Sequence, residues 1–143
     1  MKPSSAPTHK GQALPPCQAA CPIHQDVQGY TAFISQGRFD DALAVIRQTN
    51  PLPSTCGFVC AQPCQADCRR DSVDQAIAIR ALKRAAVEYG RSRPAVTGAT
   101  YDEKVAVIGS GPAGMACAYD LALLGYPVTV YEAASEAGGL LRY

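Results

Sequence analysis

A glycine turn between two hydrophobic segments most constrains what this chain can fold into. Residues 104–108 (KVAVI) predict a short buried strand, residues 109–114 (GSGPAG) a tight turn, and residues 115–124 a helix. A second strand is predicted over residues 128–131, and Glu132 follows it directly. This order of strand, turn, helix and strand is the context in which a GxGxxG sequence indicates a dinucleotide-binding fold.

Each glycine of the turn has a physical role in such a fold. Gly109 allows the sharp turn out of the strand, Gly111 lets the backbone approach a pyrophosphate, and Gly114 lets the helix pack closely on the sheet. The unpaired N–H groups at the helix N-terminus, together with the positive end of its dipole, favour an anion there. The alternative is an ordinary strand–turn–helix unit that binds no ligand.

An acid follows the second strand at the position where a ribose would lie. Glu132 is 23 positions after Gly109, close to the spacing of about 20 expected of a ribose-binding acid. Its carboxylate would repel a 2′-phosphate, so the sequence disfavours NADP at this site. Residues 137–140 (AGGL) are similar to the second glycine element of flavoproteins with two dinucleotide sites, in which FAD occupies the first fold. We therefore expect FAD rather than NAD here.

Length and charge limit the functions that the chain can have. At 143 residues it is too short for a whole doubly wound flavoprotein, so we expect the N-terminal part of a longer protein. With 13 Lys and Arg against 12 Asp and Glu, it has no field to attract nucleic acid. Neither a signal peptide nor a run of about 18 apolar residues is present, so we expect a cytoplasmic protein without a membrane span.

Seven cysteines in such a chain point to metal or redox chemistry rather than to structural disulfides. Four of them, at intervals of four from Cys56 to Cys68, could form one stripe of a helix. Gly57 and Pro63 argue against a continuous helix, because an interior proline costs about 3 kcal/mol. We predict turns wrapped around an iron–sulfur cluster. Zinc held by four thiolates and free or disulfide-linked cysteines are the alternatives.

Apolar periodicity predicts three helices, over residues 26–35, 39–48 and 73–89. The third helix is given an inner face of Ile77, Ala81, Leu82 and Ala85. We assign its basic residues to a solvated face; they are Arg80, Lys83 and Arg84, with Arg91 just beyond the helix.

The predicted fold is α + α/β, in which a helical cysteine-rich domain precedes the start of a Rossmann-type fold. The predicted divisions are a mobile tail (1–16), the helical domain (17–90), a linker (91–102) and the first part of the nucleotide fold (103–143).

Four blocks of the sequence together resemble the N-terminal part of glutamate synthase small-subunit-like oxidoreductases. They are, in order, CQAACPIHQDVQGY, NPLPSTCGFVCAQPCQADCRR, AIAIRALKRAA, and VAVIGSGPAG followed by EAASEAGGLLRY. The same arrangement is known in dihydropyrimidine dehydrogenase, and the resemblance covers about residues 15 to 143. It implies a helical domain with [4Fe–4S] clusters ahead of an FAD fold, and an NAD(P)H fold outside this chain.

The resemblance also implies which residues bind the cofactors. The residues at positions that bind FAD in the family are Gly109, Ser110, Gly111, Pro112, Ala113, Gly114, Glu132, Ala133, Gly139 and Leu140. The residues at positions that ligate the clusters in the family are Cys17, Cys21, Cys60, Cys64 and Cys68, and Cys56 remains a further candidate ligand.

The chain departs from the two-cluster members of this family at two places. It has no cysteine in residues 1–16, where they have an extra CxxC, and Lys83 stands where their other cluster takes a Gln or Glu. We therefore expect one [4Fe–4S] cluster rather than two. The expected ligands are Cys21, Cys60 and Cys64, with Cys56, Cys68 or Cys17 as the fourth.

The function implied is that of an electron-transfer flavoprotein subunit. FAD would accept a hydride from NAD(P)H and pass electrons through the cluster to a redox partner subunit or a ferredoxin-like acceptor. No residue of the chain is assigned a catalytic role, and the chain alone is expected to be inactive. The alternative is a metal-stabilised docking module on a flavoprotein, without electron transfer through the cysteines.

Overall fold

The computed structural model describes residues 14–94 and 98–143. Most of the predicted tail, and residues 95–97 of the predicted linker, lie outside the described residues. The α + α/β fold class is confirmed: a set of helices precedes a small parallel sheet.

The helical part contains six α-helices and one short 3₁₀ helix in the described residues. In chain order these are α1 (Pro16–Ala19), α2 (Val27–Ser35), α3 (Phe39–Arg47), α4 (Pro53–Val59), α5 (Pro63–Ala66), the 3₁₀ helix Arg69–Ser72, and α6 (Ile79–Tyr89). None of the helices in the described part of the chain combines the length and the apolar character needed to cross a bilayer.

The helices α2 and α3 form a hairpin, as predicted. Asp26 caps α2, because its Oδ1 accepts a hydrogen bond from the N–H of Gly29 at 2.9 Å. The apolar stripe of each helix faces the other and α6, so that Tyr30, Ile46 and Ile79 are almost completely buried. The core of this part therefore lies between α2, α3 and α6.

The helix predicted over 73–89 begins only at Ile79, so its predicted start is wrong. Two hydrogen bonds to the cysteine segment hold the chain around this start: the N–H of Ile77, ahead of α6, donates to Cys68 Sγ at 3.5 Å, and the N–H of Arg80, in the first turn of α6, donates to Gln65 Oε1 at 3.0 Å. These tertiary hydrogen bonds compete with the extra helical turns that local propensity favours.

The predicted inner face of this helix is wrong in part, because Leu82 and Ala85 are only half-buried. The side chains that it buries are Ile79, Lys83 and Ala86, whereas Ala81 and Ile77 are exposed. Lys83 therefore does not belong to the solvated basic face to which the sequence assigned it.

The segment that carries four cysteines is more helical than predicted. Cys56 and Gly57 lie inside α4, and only residues 60–62 break the chain before α5 begins at Pro63. Gly57 is buried against α6, where an added Cβ would lie 3.3 Å from Arg84 Cα. The glycine thus permits a close helix–helix contact instead of a turn, and the prediction of a break at Pro63 is confirmed.

The second part contains β1 (Val105–Ile108), α7 (Pro112–Leu124), β2 (Val128–Tyr131) and a final 3₁₀ helix, Gly139–Arg142. The strands pair in parallel with Val105 opposite Val128 and Ile108 opposite Tyr131. The helix α7 contacts both strands. The strand β1 was predicted to be buried, but Ile108 is 81% exposed. In the described residues the sheet has two strands, so much of its surface is uncovered.

The buried hairpin core generates a stability prediction. Ile46 is fully buried, so Ile46→Ala should lower the free energy of unfolding by about 2 to 5 kcal/mol, from lost transfer energy and the cavity left behind. Val73→Ala is the control, because Val73 is 83% exposed and should change stability by less than about 0.5 kcal/mol. Urea denaturation of the two variants would contradict this packing if they lost equal stability.

Candidate functional site

Three cysteines form one group beside the hairpin core. Cys21 and Cys64 are buried, 8% and 6% exposed, and Cys60 is partly buried. Burial raises the pKa of the Cys64 thiol; the neighbouring Lys83 ammonium lowers it, and Cys21 and Cys60 raise it further. We refer to Cys21, Cys60 and Cys64 as the three-cysteine group.

Two further cysteines line a separate pocket. Cys17 and Cys68 share a cavity of about 220 Å³ whose other walls include Val27, Ile77 and Ile79. Burial is the main cause that raises the pKa of the Cys17 thiol, and the charge of Cys68 adds to it. We refer to this place as the two-cysteine pocket. The structure thus separates five of the six candidate ligands into sets of three and two.

This separation is built from a repeated tetrapeptide that the sequence analysis missed. Residues 16–19 and 63–66 both read PCQA, both form a four-residue helix with proline at its start, and a further cysteine follows each at the same distance. The two short helices, α1 and α5, contact each other. The first cysteine of each copy lies with the second cysteine of the other, Cys17 with Cys68 and Cys64 with Cys21.

The glutamine of each copy ties its helix to the segment that follows. Gln18 Nε2 donates to the carbonyl oxygen of His24 at 3.1 Å, and Gln65 Oε1 accepts from the N–H of Arg80 at 3.0 Å. The repeat therefore contributes positioning residues as well as thiols. Self-comparison of the sequence at a spacing of 47 residues would have found it.

Backbone donors reach the sulfur atoms in both sets. The N–H of Gln62 donates to Cys60 Sγ at 3.3 Å, and the N–H of Ile77 donates to Cys68 Sγ at 3.5 Å. Hydrogen bonds to the sulfur atoms are one of the features by which proteins tune iron–sulfur clusters. The surroundings of Cys60 and Cys68 therefore fit those of cluster ligands.

Cys56 has a different environment from the other candidates. It lies within α4, and its Sγ donates to Oδ1 of the buried Asn50 at 3.7 Å. A thiol that donates a hydrogen bond carries its proton, whereas a metal ligand must lose it. The structure does not bring Cys56 into either set.

Two polar side chains are buried beside the three-cysteine group. Tyr30 is fully buried, and its hydroxyl has no hydrogen-bond partner among the described residues. Lys83 is 5% exposed. An unpaired hydroxyl and an ammonium are costly to bury unless an anionic acceptor is present. Three neighbouring cysteines, the N–H···S hydrogen bond to Cys60 and a buried lysine together fit an iron–sulfur group at this position.

Within residues 14–94 and 98–143, no three Cys, His, Asp or Glu side chains converge on one metal ion. The described part of the chain therefore shows no preformed site for a single ion of the kind that a structural zinc occupies.

At the glycine turn, one hydrogen-bond network joins the residues predicted to bind a dinucleotide. Glu132 Oε2 accepts from the N–H of Ser110 at 2.9 Å and from its hydroxyl at 2.5 Å, and Glu132 Oε1 accepts from the N–H of Ala134 at 2.9 Å. Ser110 Oγ in turn accepts from the N–H of Gly138 at 3.0 Å. The hydrogen bonds from Ala134 and Ser110 lower the pKa of Glu132 to about 2.

This network limits the role that the sequence predicts for Glu132 as a ribose-binding acid. Glu132 already accepts three hydrogen bonds from its own chain. A carboxylate has about four lone-pair sites, so one, on Oε1, is left for an outside donor. Glu132 thus holds the turn to the second glycine element and retains a limited capacity for a ribose hydroxyl.

The two glycine elements lie directly against each other. An added Cβ on Gly139, whose φ is +53°, would lie 2.9 Å from Gly111 Cα, and one on Gly114 would overlap the carbonyl oxygen of Gly109. By contrast, an added Cβ on Gly111 would meet nothing within 4 Å. Gly114 and Gly139 are therefore required for packing, whereas Gly111 faces open space.

The other predicted dinucleotide contacts lie around this turn. Pro112 and Ala113 are exposed in the first turn of α7, where proline is tolerated. Ala133 is exposed after Glu132, and Leu140 is 84% exposed. The structure thus brings Gly109 to Gly114, Glu132 and Gly139 together, with Leu140 at the open edge.

A groove joins the two parts of the chain close to both candidate sites. It has a volume of about 370 Å³, and its walls are α4, through Ser54, Thr55, Phe58 and Val59, and the C-terminal segment, through Leu140, Leu141 and Tyr143. Because Cys60 directly follows Val59, one member of the three-cysteine group lies next to this groove. The groove therefore connects the cysteine segment with the second glycine element.

Comparisons with known proteins agree with this two-part architecture. Residues 12–94, more than half of the chain, match the family profile described as dihydropyrimidine dehydrogenase domain II, 4Fe-4S cluster. Residues 107–143 match the profile of an NAD(P)-binding Rossmann-like domain.

Several curated proteins are similar to nearly all of the chain. NADPH-Fe(3+) oxidoreductase subunit beta of Geobacter sulfurreducens is 47% identical over 128 residues, which cover 87% of this chain and 19% of that protein. NADP(+)-dependent formate dehydrogenase subunit beta of Moorella thermoacetica is 40% identical over 164 aligned positions, which cover 97% and 23%. The small chain of NADPH glutamate synthase of Bacillus subtilis is 36% identical over 129 residues, which cover 87% and 26%.

The chain thus spans about a fifth to a quarter of the length of these relatives. The resemblance to glutamate synthase small-subunit-like oxidoreductases is confirmed. With its helical part matched over 83 residues, the chain belongs to the 4Fe-4S family of dihydropyrimidine dehydrogenase domain II, and it continues into the start of an NAD(P)-binding Rossmann-like domain.

Proposed function

We propose that this chain is the electron-transfer part of an NAD(P)H-dependent flavin and iron–sulfur oxidoreductase. The observation that carries the proposal is the three-cysteine group, whose member Cys60 ends α4, the helix that lines the groove together with Leu140 of the second glycine element. We divide the chain as the sequence predicts, into an iron–sulfur module (17–90) and the beginning of a flavin fold (103–143). The relatives named as subunits support a further partner, either a redox subunit or a ferredoxin-like acceptor.

One [4Fe–4S] cluster would be held by Cys21, Cys60 and Cys64. Burial of Cys21 and Cys64 would keep water from the cluster, and the N–H of Gln62 would stabilise the Cys60 thiolate. Cys17 and Cys68, in the neighbouring two-cysteine pocket, are the candidates for a fourth ligand. Cys56 is not included, because its thiol donates to Asn50.

FAD would lie at the glycine turn. The open space at Gly111 leaves room for a pyrophosphate against the backbone, and the first N–H groups of α7 point toward it. The Glu132 carboxylate, ionised at neutral pH, disfavours a 2′-phosphate at this place. When bound, the flavin would supply hydride acceptance and one-electron release, and the cluster one-electron transfer. Phe58, Val59 and Leu141 give the groove between the two parts apolar walls.

Substitution of a single cysteine tests the cluster assignment. Cys60→Ser should lose at least most of the cluster iron and its broad visible absorbance after anaerobic reconstitution with iron and sulfide, because a serine hydroxyl is a poor substitute for a thiolate. Cys56→Ser is the matched control and should keep both. Iron retained in Cys60→Ser, or lost equally in both variants, would contradict the assignment. A colourless protein that binds zinc would instead support a metal-stabilised docking module.

Substitution in the glycine turn tests the flavin assignment. Gly111→Asp should abolish retention of FAD, because it places a side chain and a negative charge in the space proposed for the pyrophosphate. Gly98→Asp adds the same charge at an exposed position with open space and should bind FAD as the unchanged protein does. Flavin fluorescence after gel filtration measures the bound fraction. Equal flavin content in the two variants would remove FAD from the glycine turn.

A further inference from the structure

The hydroxyl of Tyr30 is an unsatisfied polar group in the middle of the helical core. Tyr30 is completely buried on α2, and its Oη has no hydrogen-bond partner in the described part of the chain. Burial raises the pKa of this phenol far above its usual value, and Cys64, Cys21, Cys17 and Cys60 raise it further. The charges of four candidate ligands therefore act on this one hydroxyl. Because the hydroxyl keeps its proton, it needs either an acceptor for its O–H or a donor to its oxygen.

Lys83 is the second unusual group at this place. It lies on the buried face of α6, between Ile79 and Ala86, and is 5% exposed. None of the ion pairs found in residues 14–94 and 98–143 includes it. Its charge acts on Cys64, where it lowers the pKa of the thiol. A buried ammonium without a carboxylate partner is rare in proteins unless another anion compensates it.

Two other buried polar side chains of the helical part, Gln25 and Asn50, are anchored to the backbone through one end of the amide, while Gln25 Oε1 and Asn50 Nδ2 have no partner in the described residues. Gln25 Nε2 donates to the carbonyl oxygen of Ile46 at 3.0 Å, and Asn50 Oδ1 accepts from the N–H of Leu52 at 3.0 Å. These two groups hold the end of α3 and the chain that follows it. Tyr30 and Lys83 differ from them, because in the described residues the side chain of neither has a hydrogen bond or an ion pair that anchors its polar end, and the charges of the cysteines act on both places.

We propose that Tyr30 and Lys83 are positioning residues that set the reduction potential of the cluster held by the three-cysteine group: the Tyr30 hydroxyl donates an O–H···S hydrogen bond to it, and the Lys83 ammonium compensates its negative charge. This inference rests on the proposed function, since it requires a cluster at these cysteines. Neither residue is a ligand, and neither forms a bond to iron.

The direction of the effect follows from electrostatics. Reduction adds one electron, and therefore one negative charge, to a cluster that its thiolates already make anionic. A hydrogen-bond donor and a cation stabilise the reduced form more than the oxidised form, especially at a buried place where water does not screen them. Both groups should consequently raise the potential. They stand on different helices, α2 and α6, so their contributions can be removed one at a time.

The chain offers a matched control for each substitution. Tyr119, on α7, also has a buried hydroxyl without a partner in the described residues, but the charged groups that act on it are Arg47 and Asp120. Lys104, ahead of β1, is an exposed lysine. Tyr30→Phe is therefore compared with Tyr119→Phe, and Lys83→Met with Lys104→Met. Within each pair the two substitutions remove the same atoms, and only Tyr30 and Lys83 lie beside the three-cysteine group.

The experiment is a redox titration of the chain after anaerobic reconstitution with iron and sulfide, followed by visible absorbance and electron paramagnetic resonance. Iron is counted in every variant. Tyr30→Phe and Lys83→Met should keep their iron and shift the midpoint potential downward, whereas Tyr119→Phe and Lys104→Met should leave it unchanged. Electron–nuclear double resonance of the reduced cluster, compared between ordinary and deuterated buffer, should show exchangeable protons coupled to it, and one of these couplings should be missing in Tyr30→Phe.

The outcomes separate this inference from the function on which it rests. If the unchanged protein takes up iron but its potential is the same in Tyr30→Phe and Tyr119→Phe, and in both lysine variants, the inference is wrong and the cluster assignment remains. If the unchanged protein takes up no iron, the proposed function fails, and this inference fails with it. Should Tyr30→Phe lose its iron, the lysine pair decides: a lower potential in Lys83→Met alone supports the proposal, and equal potentials in Lys83→Met and Lys104→Met overturn it. An unchanged protein without any exchangeable proton coupled to the cluster would contradict the Tyr30 hydrogen bond.

Discussion

The helical half of this protein depends on the burial of thiols, a phenol and an ammonium in one core. Cys21, Cys64, Tyr30 and Lys83 occupy places between α2, α5 and α6 where a small helical domain would otherwise bury aliphatic side chains. Polar groups are costly to bury without partners, and the described residues supply few for these. An anionic cluster would satisfy all of them together, so that its binding and the folding of this half would be coupled.

The glycine half depends on a different constraint, namely the contact between its two glycine elements. The Ser110 side chain both donates to Glu132 and accepts from Gly138, and Gly139 lies against Gly111 with no room for a Cβ. The turn is therefore held in shape by its own chain, which lowers the cost of organising it around a ligand. The exposed strand residue Ile108, and Leu140, belong to surfaces that this half leaves uncovered.

Local patterns predicted the elements whose stability is local. The helices α2 and α3 have an apolar stripe and a capping or stop residue, and β2 is a short β-branched run, so their bounds follow from the sequence. The start of α6 was wrong because Cys68 accepts from the N–H of Ile77, ahead of the helix, and Gln65 accepts from the N–H of Arg80 in its first turn. The role of Gly57 was wrong because it permits a helix contact rather than a turn.

The sequence by itself determined the two-part architecture, the six candidate cysteines and the glycine turn, because residue type and spacing suffice for these. Only the tertiary structure decided how the cysteines are grouped, since α1 and α5 must pack before Cys17 can meet Cys68 and Cys21 can meet Cys64. It alone placed Lys83 inside the core, because the buried face of α6 is set by the helices that pack against it, α2, α3 and α4. It also decided that Glu132 accepts hydrogen bonds from Ser110. These residues are 22 positions apart, and no local pattern specifies a contact between them.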